Sequence, residues 1–295
     1  NEEIVRSIRN NVEKYWHLNN KIDFDCSNPR VNLHEPTYGP DEVMSMNEVM
    51  LSTQVTMGKK VLGFEDDLSK YFDISEAVTN NSGSSANLLA ISALVNKMTP
   101  DHLNPGDEVI VPALSWSTTV WPLIQNGLVP VFVDIDPNTL NIHPADIVDA
   151  ISNKTKAIMI VPVYGNPCNM DSILEICQSR GLQLIEDNCE SLGAFYNDKP
   201  LGSYGRVSTY SFYFSHHIST LEGGVTLTND FELAEVMRII RAHGWVRETK
   251  DKEKHLKMYP KIDPKFLFVN LGYNLRLTEV GGAMGLVQLP KLEGF

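Results

Sequence analysis

Residues 157–187 read AIMIVPVYGNPCNMDSILEICQSRGLQLIED, and this stretch decides the fold class. It opens and closes with short, nearly continuous apolar runs, and the segment between them, 171–180, has the periodicity of an amphipathic helix. Apolar runs joined by a helix are typical of parallel strands whose two faces are both covered. The stretch therefore predicts a strand–helix–strand unit with Asp187 at the carboxyl end of its second strand.

The same alternation continues on both sides of this unit. Further strand-like runs lie at 108–113, 129–134, 207–213 and 224–228, and helix-like segments lie at 84–97 and 230–243. Proline and glycine mark the joins between them. We therefore expect an α/β fold with a mainly parallel central sheet flanked by helices. Residues 1–57 are interpreted as an N-terminal helical arm.

Composition excludes several classes of partner. The chain has 295 residues, of which 42% are hydrophobic and 21% charged, and its net charge is −12. A nucleic-acid-binding surface is basic, so we expect no nucleic-acid partner. No apolar run approaches the ~18 residues of a transmembrane helix, so no membrane association is expected. The four cysteines (Cys26, Cys168, Cys177 and Cys189) form no CxxC pair. We therefore predict no metal site and reduced thiols in a cytoplasmic protein.

A polar turn at 80–88, NNSGSSANL, runs into an apolar-striped helix. Free backbone N–H groups at a helix N-terminus, with the hydroxyls of Ser84 and Ser85 beside them, suit a phosphate group. The alternative is a helix N-cap with spare serines, and this alternative is favoured when the turn is taken alone.

Three other polar or aromatic positions follow strand ends or turns. Asp187 lies where ligands of open α/β sheets gather, although an ordinary loop acid is the alternative. Trp116 can stack on a planar ring or pack in the core. Asn274 and Arg276 lie in a turn-like stretch that suits either a phosphate contact or an exposed loop.

Together with residues 211–224, SFYFSHHISTLEGG, these motifs resemble the DegT/DnrJ/EryC1/StrS family of sugar aminotransferases, from about Val61 onward. These enzymes use pyridoxal 5′-phosphate (PLP). The resemblance implies the PLP-dependent transferase fold of type I, like that of aspartate aminotransferase, in a homodimer with shared active sites. It implies a phosphate site at Ser84, Ser85 and Ser211, a ring contact at Trp116 and Glu190, a partner for the ring nitrogen at Asp187, and a contact to the other subunit's site at Asn274, with Arg276 beside it.

His216 stands where most members of this family carry the lysine that bonds covalently to PLP. The resemblance therefore points to the family branch of sugar 3-dehydratases. Imidazole forms no stable Schiff base, so the coenzyme would be held noncovalently, and its pyridoxamine form (PMP) suits such a site. Histidine is a competent general base near neutral pH. We predict that His216 is the base and His217 a supporting residue; a degenerate site is the alternative.

Two dehydratase types occur in that branch. One carries a [2Fe–2S] cluster on four cysteines, and the other regenerates PMP from glutamate. Cys189 matches the first cluster ligand in position, but no cysteine follows it in this chain. A four-cysteine cluster is therefore unsupported, and glutamate is the expected amino donor.

These observations predict a PLP/PMP-dependent 3-dehydratase of a nucleotide-linked 4-keto-6-deoxysugar in deoxysugar or lipopolysaccharide biosynthesis. The alternatives are a PLP-dependent nucleotide-sugar aminotransferase, disfavoured by the missing lysine, and a noncatalytic protein of the same fold. We expect three regions: the arm at 1–57, a large PLP-binding domain at 58–276, and at 277–295 the start of a C-terminal domain that is truncated, since family members run on beyond this point.

Overall fold

The computed structural model describes residues 2–20, 25–30, 32 and 34–295. The helices are α1 (Glu2–Asn19), α2 (Pro40–Ser52), α3 (Lys59–Phe72), α4 (Gly83–Leu94), α5 (Ser117–Gln125), α6 (Pro144–Ala150), α7 (Met170–Arg180), α8 (Phe231–Arg241), α9 (Lys252–Met258) and α10 (Glu279–Gln288). The strands are β1 (Glu76–Asn80), β2 (Glu108–Pro112), β3 (Val129–Val133), β4 (Thr155–Ile160), β5 (Gln183–Asp187), β6 (Phe195–Tyr196), β7 (Lys199–Pro200), β8 (Val207–Ser211) and β9 (Gly224–Thr228).

Seven strands form the central sheet, in the order β1-β9-β8-β5-β4-β2-β3. The pairs β2–β3, β2–β4, β4–β5 and β5–β8 are parallel, whereas β9 is antiparallel to both β1 and β8. The prediction of a mainly parallel sheet is confirmed. Strand β1 was not predicted, because its five residues, EAVTN, include three polar side chains and show no clear apolar run.

Both faces of the sheet are covered, as the apolar runs predicted. Met159 of β4 packs in one hydrophobic cluster with Leu89 of α4, whereas its neighbour Ile158 packs in another cluster with Ile173 of α7. Successive side chains of a strand point to opposite faces, so the two clusters lie on opposite sides of β4. Helices α4 and α8 contribute to the first cluster and α7 to the second.

Local sequence signals begin and end the helices beside the sheet. Helix α7 begins after Asn169, whose side chain accepts a hydrogen bond from the Ser172 N–H, and it ends at Gly181 with a φ of 64°. A left-handed backbone at a helix end favours glycine. Helix α8 is capped in the same way by Asp230, which accepts from the Leu233 N–H.

The first and last segments of the chain pack together. Helix α10 contacts α2 and α3, and Leu292 shares a hydrophobic cluster with Phe64 of α3. The buried carboxylate of Glu42 accepts hydrogen bonds from Gln288 at 2.7 Å and Lys291 at 2.6 Å. Residues 277–295 thus lie on the same core as α3, and the division of the chain at residue 276 stays a prediction. Within the described ranges, no helix has the length and apolar character needed to cross a membrane.

Candidate active site

A cavity of about 400 Å³ opens at the carboxyl ends of β5 and β8, beside the N-terminus of α4. Its volume lies within the range of roughly 300–1,000 Å³ that is typical of small-molecule sites. The lining residues are Ser82, Gly83, Ser84, Asn87, Trp116, Thr118, Asp187, Cys189, Glu190, Ser211, Tyr213, Ser215, His216 and Glu222. Two cavities of about 540 Å³ lie elsewhere, one of them at the opposite end of α4. Of these three cavities in the described part of the chain, the one of about 400 Å³ combines the carboxyl edge of the sheet with a helix N-terminus.

Ser82 caps helix α4. Its hydroxyl oxygen accepts a hydrogen bond from the Ser85 N–H at 3.0 Å and donates to the Ser85 hydroxyl at 3.0 Å. The N–H groups of Gly83 and Ser84 have no acceptor in the part of the chain that the structure describes. Free N–H groups and the helix dipole together favour an anion at this point. The turn is thus both a cap and a candidate phosphate site.

Gly83 brings this helix end against strand β8. A side-chain carbon at position 83 would lie 2.5 Å from the β-carbon of Ser211 and 2.9 Å from its hydroxyl oxygen. Only glycine permits so close an approach without displacing its neighbours. As a result, the Ser211 hydroxyl lies beside the free N–H groups of α4.

The carboxylate of Asp187 is almost completely buried, with 4% of the residue exposed. Its Oδ2 accepts hydrogen bonds from the side-chain amide of Asn87 at 2.8 Å and from the Thr119 hydroxyl at 2.7 Å. Its Oδ1 accepts a longer bond, from the Cys189 N–H at 3.3 Å. The carboxylate is therefore fixed through one oxygen, which leaves the other with capacity for a ligand.

Glu186, next to Asp187, anchors the end of β5 from the opposite side. It is fully buried, and its two oxygens accept hydrogen bonds from the N–H groups of Gly202 at 2.8 Å, Tyr204 at 2.9 Å and Gly205 at 2.5 Å. Burial raises the pKa of Glu186, and these three bonds act in the other direction. Because neighbouring strand residues face opposite ways, this anchorage directs Asp187 toward the cavity.

Sequence reasoning missed the residues that orient Asp187. Asn87 is 1% exposed, and its carbonyl oxygen accepts a hydrogen bond from the Thr209 hydroxyl at 2.6 Å, so both ends of its amide are engaged. Asn87 could have been recognised from the sequence, because it is the one polar residue in the otherwise apolar stretch 86–91, ANLLAI, one turn beyond Ser84. Thr119 offered no such signal, because it lies in a polar run of serines and threonines.

Cys189 forms another part of the cavity wall. Burial raises the pKa of its thiol well above the usual range, and the negative charge of Asp187 adds to this effect. The Cys189 side chain is therefore an uncharged thiol.

His216 lines the cavity and His217 does not. His216 is half-buried, its N–H donates to the Tyr213 carbonyl oxygen at 2.9 Å, and its ring lies 6.2 Å from the Tyr213 ring. Burial lowers the pKa of His216, the neighbouring His217 lowers it further, and Asp187 opposes the change. The neutral imidazole, which can accept a proton, is thus the favoured form.

An exposed tryptophan and three carboxylates are among the residues that line the cavity. Trp116 is 72% exposed, so the alternative of core packing is wrong for this residue. Glu190 accepts a hydrogen bond from the Tyr164 N–H at 3.2 Å. With Asp187 and Glu222, it gives the cavity three carboxylates, and no lysine or arginine is found among the described lining residues.

Two predicted site residues do not line this cavity. The N–H and hydroxyl of Ser85 are used in the cap with Ser82. Asn274 is exposed and does not line the cavity, and its side-chain oxygen accepts a hydrogen bond from Arg276 Nε at 3.1 Å. Of the others, Ser84, Trp116, Asp187, Glu190, Ser211 and His216 come together. The residues present fit a phosphorylated pyridine: free N–H groups and hydroxyls lie at one end of the cavity, and a fixed carboxylate lies in its wall.

The sequence profile of the DegT/DnrJ/EryC1/StrS aminotransferase family matches residues 36–295, and the chain belongs to this family. Its fold is the one shared by PLP-dependent aminotransferases. Within the family, the chain is 45% identical over 266 residues to the GDP-4-keto-6-deoxy-D-mannose 3-dehydratase of Yersinia pseudotuberculosis, a match covering 89% of this chain and 67% of the relative.

Solved structures of the same enzyme agree. The E. coli dehydratase with bound hydrated PLP is 44% identical, with a TM-score of 0.85, over 90% of this chain and 68% of that one. A second structure of GDP-4-keto-6-deoxymannose-3-dehydratase, with a trapped PLP–glutamate geminal diamine, is 42% identical, with a TM-score of 0.82, over 90% of this chain and 69% of the other. The chain thus spans about two thirds of the length of these relatives.

Proposed function

We propose that this protein is a PLP/PMP-dependent 3-dehydratase of a nucleotide-linked 4-keto-6-deoxysugar, with GDP-4-keto-6-deoxymannose as the preferred substrate. The observation that carries the proposal is a histidine, His216, lining the cavity where most of the family has lysine, while the phosphate turn and Asp187 are kept. The identity of 45% to a 3-dehydratase of this sugar supports the substrate. The alternative of a degenerate site is disfavoured, because the residues proposed to contact the phosphate and the ring are all present together in the cavity.

The residues of this chain hold and orient the coenzyme. The N–H groups of Gly83 and Ser84 and the hydroxyl of Ser211 bind its phosphate, and Trp116 covers its ring. Asp187, which Asn87 and Thr119 hold in place, would pair with the ring nitrogen and keep it protonated. When bound, the coenzyme supplies the amine that condenses with the keto group and the ring that accepts the electron pair.

His216 is the base in this proposal. Its lowered pKa keeps the ring neutral near pH 7, so it takes the proton at C4′ of the coenzyme. The proton that His216 then holds would pass to the C3 hydroxyl of the sugar, which would leave as water. His217, which does not line the cavity, is the proposed supporting residue and transfers no proton in the reaction.

Glutamate is the proposed amino donor that regenerates PMP. A related dehydratase, 42% identical, holds a trapped PLP–glutamate geminal diamine. Glutamate and the 4-keto sugar would use the cavity in turn, so His216 serves both halves of the cycle.

We also propose that two copies complete each site. The cavity has three carboxylates and no lysine or arginine among the described lining residues, yet it would receive a phosphate and a sugar nucleotide. Asn274 and Arg276 lie outside the cavity of their own subunit and are available to a second one. Because its substrate is a nucleotide sugar and its cysteines are free, we propose a cytoplasmic location.

The test is incubation of the full-length protein with PLP, glutamate and a panel of 4-keto-6-deoxysugar nucleotides, with mass spectrometry of the products. The expected product from the GDP-linked mannose derivative has lost water, and the matched His216→Asn protein should form it at least about a hundredfold more slowly. An amino sugar nucleotide as the main product would instead identify an aminotransferase.

A further inference from the structure

The segment 270–276 packs on the turn that follows α8. Gly244 has a φ of 84°, and a side chain there would collide with the carbonyl oxygen of Asn270. A side chain at Gly272 would collide with the Gly244 backbone nitrogen. Two glycines thus allow the two backbones to touch. Position 272 lies two residues before Asn274, so this packing fixes the backbone that leads to Asn274.

Hydrogen bonds to the end of α8 fix its backbone. The Tyr273 N–H donates to the Ile240 carbonyl at 2.7 Å, and the Leu275 N–H donates to the Arg241 carbonyl at 3.0 Å. The His243 N–H donates to the Tyr273 carbonyl at 2.6 Å. The backbone is therefore held on both sides of position 274, while the direction of its side chain needs a separate constraint.

That constraint begins with a buried arginine. Arg241 is 1% exposed, and its guanidinium binds Glu65 at 2.6 Å and the Thr79 carbonyl oxygen at 3.0 Å. Its other terminal nitrogen donates to Oε2 of Glu248 at 3.3 Å. Glu248 is thus fixed from the interior of the protein.

The second oxygen of Glu248 faces the segment itself. Oε1 lies 3.7 Å from a terminal nitrogen of Arg276, and Arg276 Nε donates to the Asn274 side-chain oxygen at 3.1 Å. The Glu248 side chain is 12% exposed and lies between two arginines, one buried and one partly exposed. Glu248 thus joins Arg276 to the interior through one hydrogen-bonded ion pair, with Arg241, and one longer charge contact, with Arg276.

We infer that Glu248 is a positioning residue for the active site of the second subunit. It fixes Arg276, and Arg276 orients the Asn274 amide that its subunit offers across the dimer. This inference rests on the shared active site proposed above. Glu248 does not line the cavity of its own subunit, so it has no direct contact to make there.

The first test replaces Glu248 by Gln in the full-length enzyme. Gln keeps the size but removes the charge between the arginines. The coenzyme concentration giving half-maximal activity should rise about twofold to fivefold, the scale of one weakened, partly exposed ion pair. The rate at saturating coenzyme should change much less, because His216 and Asp187 are untouched. Glu253→Gln, an exposed acid on α9, is the matched control. Equal behaviour of the two variants overturns the inference.

Mixed dimers with two purification tags decide which subunit Glu248 serves. In a dimer of Glu248→Gln and His216→Asn subunits, the one working site has its own His216 and receives Asn274 from a subunit with intact Glu248. Coenzyme dependence of its activity should return to the wild-type value. A dimer of Asn274→Ala and His216→Asn subunits tests the shared site in the same way.

The outcomes separate the inference from the proposed function. Recovery in the Asn274 dimer without recovery in the Glu248 dimer means that Glu248 acts within its own subunit, which overturns the inference. No recovery in either dimer removes the shared site and the inference with it, while dehydration by the wild type would still stand. If Glu248→Gln fails to fold, Glu248→Asp, which keeps the charge but shortens the side chain, replaces it in both tests.

Discussion

Asn87 donates its side-chain amide to Oδ2 of Asp187 across 2.8 Å, although 100 positions separate the two residues in the chain. The bond joins α4 to the end of β5. The N-terminus of the same helix offers the free N–H groups of Gly83 and Ser84. One rigid element therefore sets the distance between the phosphate end of the cavity and the carboxylate for the ring nitrogen.

Asp187→Asn should reduce turnover on the order of a hundredfold or more, the scale of a charged contact used in the transition state. An amide cannot keep the ring nitrogen protonated, so the electron sink is lost. The measurement is the rate of water loss at saturating coenzyme, with thermal unfolding as the check on the fold. Near-normal turnover would remove Asp187 from its proposed role.

Asn87→Ala should lower both stability and activity, because it leaves the Thr209 hydroxyl without its acceptor and Asp187 with one donor fewer. Unfolding free energy should fall by roughly 1–3 kcal/mol. Asn87→Asp should lose more unfolding free energy than Asn87→Ala, and increasingly so as pH rises. The new carboxylate and that of Asp187 would then both be charged and would repel each other. Leu88→Ala, at the next and half-buried position of α4, is the control for helix stability. The proposed orienting role is lost if Asn87→Ala and Leu88→Ala retain equal activity.

His216→Asn should slow dehydration by about a hundredfold to ten-thousandfold, the usual contribution of a general base. In the unmodified protein, burial lowers the pKa of His216, so this side chain stays a neutral base to lower pH than free imidazole does. The acid limb of kcat/KM should therefore have its midpoint below about pH 6.5, and activity should be lost only as pH falls through it. His217→Asn should be milder. A dead His217→Asn beside an active His216→Asn would assign the base to the neighbouring residue.

Gly83→Ala should weaken coenzyme binding tenfold or more. The added methyl group would lie 2.5 Å from the Ser211 β-carbon, so α4 and β8 must separate. Overpacking of this kind costs about 1–3 kcal/mol, and each 1.4 kcal/mol is about tenfold in affinity. Gly63→Ala in α3, whose added carbon meets Leu286 at 3.8 Å, is the control. Spectroscopic titration with PLP measures both; unchanged affinity in Gly83→Ala would argue against a phosphate site here.

Borohydride reduction of the PLP-loaded protein should leave the coenzyme on no lysine. No lysine lines the cavity among the described residues, and His216 holds the family's lysine position. Peptide mass mapping of the reduced protein provides the measurement. His216→Lys should reverse the result, with one labelled peptide containing position 216. A stoichiometric phosphopyridoxyl-lysine in the unmodified protein would contradict noncovalent binding.

Strand β5 and the position of Asp187 at its end were predictable, because they depend on side chains that are neighbours in the chain. The serine turn was also recognisable, but Ser82 proved to be the cap and Ser85 its internal partner. Sequence spacing alone does not tell which hydroxyl turns inward, since this depends on where the helix begins. Strand β1 was missed because its burial comes from β9 and α3 rather than from its own composition.

The sequence by itself determined the α/β fold class, the family and the histidine at position 216. Periodicity and motif order depend only on the order of residues along the chain, so they can be recognised without coordinates. Only the tertiary structure decided that Asn87 and Thr119 hold Asp187, that His216 and not His217 faces the cavity, and that Glu248 lies between Arg241 and Arg276. Contacts such as Asn87–Asp187 join distant positions through the packing of α4 on the sheet, and no local pattern encodes which polar side chains that packing brings within hydrogen-bond distance.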